Sequence, residues 1–121
     1  MDRFADIALQ EIAIGKDILL IVSGGERHIG ASSTAYLNEG QMHVQTCAVP
    51  GHKEHVLSEG LAMRAAEMLS RTVTVVMGIH YDQLSREEIS AISGHVSRLM
   101  EEYLLRQVGT RFEHQSNQGN E

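Results

Sequence analysis

Asp17-Ile18-Leu19-Leu20-Ile21-Val22, running into Ser23-Gly24-Gly25, is the stretch on which the fold turns. An aspartate followed by five consecutive apolar residues is the pattern of a strand buried on both faces, here 18–23. Upstream, residues 5–14 form a weaker strand across the turn Gly15-Lys16-Asp17, its alternation slipping near Glu11. Downstream, the polar loop Ser23–Gly30 leads to a third strand at 31–37. The turn signal Asn38-Glu39-Gly40 then opens a fourth at 42–49. Strands joined by such short turns are expected to be antiparallel neighbours.

Pro50-Gly51 ends the run of strands. Val56, Leu57, Leu61, Ala65, Met68 and Leu69 then recur at helical spacing, predicting a helix over 53–70. Thr72-Val73-Thr74-Val75-Val76-Met77 is a β-branched run of strand length. Ser85-Arg86-Glu87-Glu88 has the form of a capping box, opening a last helix with Ile89, Ile92, Val96, Leu99 and Tyr103 on its apolar face. The order β-β-β-β-α-β-α implies an α+β fold: a largely antiparallel sheet of about five strands with both helices packed on one face. One domain over 1–109 and a polar, disordered tail over 110–121 complete the expected organisation.

At 121 residues the chain has room for one core, and with no tryptophan and 4% aromatics that core must be aliphatic. A formal charge of −6 argues against nucleic acid and anionic membranes as partners. No apolar run approaches the ~20 residues of a membrane span, and the start lacks a signal-peptide core. With a single cysteine, Cys47, a cytoplasmic protein without internal disulfides is expected. Segments 18–22 and 73–77 are apolar on both strand faces, so two helices leave one face of the sheet uncovered, and a homodimer through that face is the simple remedy.

Three loops carry the candidate chemistry: Gly24-Gly25-Glu26-Arg27-His28-Ile29-Gly30, Pro50-Gly51-His52-Lys53-Glu54-His55 and Gly78-Ile79-His80-Tyr81-Asp82. Each follows a predicted strand and sets glycine beside histidine. Anion binding is one reading, with glycine amides, a helix start at Lys53 and the guanidinium of Arg27 converging on a phosphate. The glycines also make ordinary turns, and neither dinucleotide-binding nor P-loop spacing is present. Metal binding is a second reading, through His52, His55 and His80 with Glu54 or Asp82 nearby, although the spacing matches no zinc-protease signature. Nucleophilic catalysis by Ser23, Ser32, Ser33 or Cys47 lacks an elbow motif, and Cys47 in mid-strand reads as a buried structural thiol. Glu54 and His80 could form an acid/base pair. His43, His95 and His114 fall on a strand face, a polar helix side and the tail.

The wording of these loops, together with Glu87-Glu88-Ile89, resembles the LpdD-like family over about residues 18–100. Its members are small bacterial and archaeal proteins associated with UbiD-type decarboxylases, regarded as prenylated-flavin chaperones and similar in fold to proteasome-assembly chaperones. The resemblance implies a non-catalytic accessory protein that binds prenylated FMN, or FMN, and delivers it to a partner decarboxylase. It also implies Gly24, Gly25, Arg27, His28, His52, Lys53, Glu54 and His80 as cofactor-binding residues. A small metal-assisted enzyme and a ligand-free assembly chaperone are the alternatives.

Overall fold

The computed structural model describes residues 3–51 and 54–119, with side chains through Gly109. Five strands and two helices follow in the expected order: β1 (Ala8–Ile14), β2 (Asp17–Gly25), β3 (Ala31–Asn38), β4 (Gln41–Ala48), α1 (His55–Leu69), β5 (Val73–His80) and α2 (Arg86–Gly119). The fold is α+β, with a single sheet of spatial order β1-β2-β5-β3-β4.

Local chemistry sets the hairpins. Glu39 and Gly40 both take positive φ (54° and 78°), the two-residue turn whose twist suits antiparallel strands, and β3 and β4 pair from Asn38↔Gln41 onward. Gly15, at φ 58°, serves the β1–β2 turn and sets Ile14 opposite Asp17. The expectation that chain neighbours pair throughout fails once. β5 runs between β2 and β3, parallel to β2 and antiparallel to β3. The glycine loop is therefore not a hairpin turn but a bridge across the end of β5. β1 also begins later than the predicted residue 5, because Arg3–Asp6 form turns that clamp the loop beyond β5.

Both helices cover one face. Ile18, Leu20, Val22, Val73, Val75 and Met77 point into it, meeting Leu61, Ala62, Ala65, Ala66 and Leu69 from α1 and Ile92, Val96, Met100, Tyr103 and Leu104 from α2. The buried side of α1 is rotated from the predicted one. Val56 is 69% exposed, whereas Ser58, Ala62 and Ala66 are buried, because small side chains let the helix settle close to the sheet. Ser58 gives its hydroxyl to a buried network in which Ser33 Oγ lies 2.8 Å from both Ser58 Oγ and Thr46 Oγ1. Ser33 thus ties α1 to the sheet rather than presenting a nucleophile. At the start of α2 the capping box is reciprocal: Glu88 N–H donates to Ser85 Oγ (3.1 Å) and Ser85 N–H to Glu88 Oε1 (3.0 Å).

The opposite face carries Ile12, Leu19, Ile21 and Val76 beside Ser32, Thr34 and Thr74, with no helix of the described residues over it. Cys47 lies at its margin and is exposed, not buried. β4 is an edge strand, and pairing with Ser32 turns Cys47 away from the helices. The backbone of α2 continues helically past Gly109 to Gly119, and among the described residues no helix is long and apolar enough to cross a membrane.

Candidate functional site: a groove and a hollow meeting at His80

The three glycine-histidine loops interlock at one end of the sheet. After β2, the chain crosses the end of β5, and Glu26 N–H donates to the His80 carbonyl and Gly30 N–H to that of Met77, both at 2.9 Å. The crossing is close enough to require glycine. A Cβ on Gly78 would sit 1.5 Å from the His28 carbonyl oxygen, and one on Gly25, already at φ 64°, would sit 2.1 Å from that of His80. Gly25 N–H donates to the carboxylate of Asp6 at 2.8 Å, so that amide is taken by an internal anion in this structure.

Three of the predicted polar residues converge. His28 Nε2 lies 3.0 Å from Glu54 Oε1, while its Nδ1 faces the Glu26 carbonyl at 3.2 Å. Glu54 precedes the first turn of α1 without capping it, its carboxylate turned instead toward His28 and Gly30. The His80 ring stands edge-on to that of His28, centroids 6.2 Å apart, and its Nε2 is 3.1 Å from Asp82 Oδ1. His80 therefore shapes its turn through Asp82 and also belongs to the cluster. Arg27 is exposed beside them, whereas Gly24 is buried against Ile7. His52 and Lys53 lie outside the described residues. Among the described residues, no three His, Cys, Asp or Glu side chains are grouped to hold a metal.

Two concavities share His80. A polar hollow of about 310 Å³ is lined by Glu26, Arg27, His28, Ile29 and His80. A mainly apolar groove of about 320 Å³ runs between the start of α1, the end of β5 and the start of α2, lined by Leu57, Met77, Ile79, Leu84, Ile89 and Ile92, with Glu54 and His80 at its rim. The apolar lining was not anticipated as part of a site. Its residues come from three separated segments, each of which looks like ordinary core in isolation. A larger hollow at the other end of the sheet, around Lys16, Arg71 and Ser70, brings together none of the loop residues.

The N-terminal segment braces this end of the molecule. Asp6 accepts hydrogen bonds from the Tyr81 hydroxyl and Gly25 N–H, and those bonds hold its carboxyl below the usual aspartate range, Tyr81 contributing most. Phe4 packs edge-on against Tyr81, and Arg3 bridges to Glu88 and to the Asp82 carbonyl. A carboxyl whose folded pKa is depressed stabilises the fold fully above its unfolded value and loses that contribution as pH falls through the folded value. The difference in thermal stability between the parent and Asp6→Asn should accordingly be largest at neutral pH and shrink as pH falls below about 4. Equal gaps at pH 7 and pH 3 would show that the Asp6 charge does not hold the clamp.

Comparison with known proteins agrees with this architecture. Protein LpdD of Lactiplantibacillus plantarum is 33% identical over 81 residues, which cover 64% of this chain and 60% of that protein. A crystal structure of a chaperone complex for yeast 20S proteasome assembly superposes with a TM-score of 0.54 at 12% identity, covering 84% of this chain and 94% of that one, a likeness of fold alone. The family described as the prenylated flavin chaperone LpdD-like domain matches residues 2–108. With that match spanning most of its length, the chain belongs to the LpdD-like chaperone family.

Proposed function

We propose that this chaperone binds prenylated FMN, or FMN itself, in the cytoplasm and delivers it to a UbiD-type decarboxylase without catalysing a reaction of its own. The observation that carries the reading is the meeting of a polar hollow and an apolar groove at His80. A flavin nucleotide has the matching character, with an anionic phosphate at one end and a largely apolar ring system at the other. Arg27, His28 and His80 would hold the phosphate, and His52 and Lys53, which precede Glu54 in the sequence, are further candidates for it. Glu54 positions His28 at 3.0 Å, and the groove walls would shield the ring from water. When bound, the flavin supplies redox and adduct-forming chemistry to the partner, and the residues here bind and orient it.

The test is anaerobic gel filtration of the protein with reduced prenylated FMN. Co-elution is expected at tens of micromolar, and an empty protein peak at that concentration would overturn the reading. Arg27→Glu places a negative charge in the hollow and should weaken binding by at least about tenfold. Because Arg27 is exposed, its variant should keep the parent melting temperature. The proposal extends to self-association, with the helix-free face of the sheet as the homodimer interface.

A further inference from the structure

Ile89 is 52% exposed on the second turn of α2, yet it lines the groove with Leu84, Leu57 and Ile79 over a floor of Met77. Ile89, with the partly buried Leu57, Ile79 and Leu84 around the same concavity, gains when a hydrocarbon covers it. At about 320 Å³ the groove is at the small end of sites for small molecules, too small to seat a partner helix of ~10 Å diameter along its length. Its lining is mainly apolar, with Glu54, Ser93 and His80 as its polar side chains among the described residues, and His80 joins it to the hollow assigned to the phosphate.

We infer that this groove is the specificity element of the site: Leu84, Ile89, Leu57 and Ile79 receive the isoprenoid carbons of a prenylated flavin and so distinguish it from unmodified FMN. The inference rests on the flavin-binding reading above and adds which part of the ligand is selected, and where. A phosphate contact cannot separate the two flavins, since both carry the same phosphate. Contacts to the added hydrocarbon can, and each buried carbon in an apolar pocket favours the larger ligand. The N-terminal clamp supports the assignment, because Arg3 and Asp6 fix Asp82 and Tyr81 and thereby place Leu84 at the groove wall.

Anaerobic titrations with reduced prenylated FMN and reduced FMN, followed by isothermal calorimetry, test it. The parent protein should bind the prenylated form at least about tenfold more tightly. Ile89→Ser and Leu84→Ala should reduce that ratio to within about threefold, because they weaken binding of the prenylated form more than that of FMN. Ile89 is half-exposed, so its variant should stay folded by circular dichroism and keep the comparison valid if Leu84→Ala does not fold. Equal affinities for the two flavins in the parent, or equal losses for both in the variants, would overturn the inference and leave flavin binding standing. Binding of neither flavin at 100-fold above the protein concentration used would overturn the flavin reading itself.

Discussion

Gly78→Ala is expected to be the most damaging single methyl that can be added to this protein. Its Cβ would lie 1.5 Å from the His28 carbonyl oxygen, 2.4 Å from the carbonyl carbon and 3.2 Å from the His28 nitrogen. These are backbone atoms of a segment held at both ends by Glu26 N–H to His80 and Gly30 N–H to Met77, so no side-chain rotation relieves the overlap. The loop must lift, breaking those bonds and the His28–Glu54 contact. The cost should reach about 3–5 kcal/mol, a large share of the ~5–15 kcal/mol that stabilises an ordinary domain. Thermal unfolding should fall by at least about 10 °C. Gly60→Ala is the matching control: it lies in α1 with nothing within 4 Å of its Cβ position, and should instead gain about 0.5–1 kcal/mol. A Gly78→Ala variant melting within about 2 °C of the parent would mean that the loop does not cross β5 as described.

The second large effect concerns the helix-free face. Ile21 stands at its middle, in register with Gln10 of β1 and Val76 of β5. Covering Ile12, Leu19, Ile21 and Val76 with a second copy removes their contact with water. The protein should sediment at twice its monomer mass at micromolar concentration, and Ile21→Asp should sediment as a monomer, its association weakened more than about 100-fold. Because Ile21 points away from both helices, the variant should keep the far-ultraviolet dichroism of the parent. A parent monomer at ~50 μM, or an Ile21→Asp protein that remains dimeric, would rule out this interface.

Element types were legible in the sequence because they depend on near neighbours. The capping residues Ser85 and Glu88, the Asn38-Glu39-Gly40 turn and the β-branched run at 73–77 each announce themselves within a few positions. Even the slip at Glu11 was meaningful. It faces the helix side of the edge strand opposite Leu20, near Tyr103, whose hydroxyl pKa is raised by burial and by Glu11. The insertion of β5 between β2 and β3 was not legible, since pairing partners far apart in the chain leave no local mark. For the same reason Cys47 was misread: alternation is visible in the sequence, but not which strand forms the sheet edge. Histidine and glycine spacing pointed to three loops that the fold brings together at one end of the sheet. Their glycines, however, serve close backbone crossing at Gly78 and an internal carboxylate at Gly25. The groove stayed hidden because its apolar walls are indistinguishable from core until α1, β5 and α2 come together.

The central position of β5 also dictates an order of events during synthesis. The β1–β2 and β3–β4 hairpins are local and can close as soon as each leaves the ribosome. Among the described residues neither hairpin pairs with the other except through residues 73–80, so until that segment emerges the chain holds two ribbons with four open edges, β2 and β3 among them. Arrival of β5 joins the halves in one step, sealing both inner edges and drawing the histidine loops together over its end. The nascent chain is therefore most vulnerable to mispairing during the short interval between the fourth strand and the fifth, the interval in which α1 is being made.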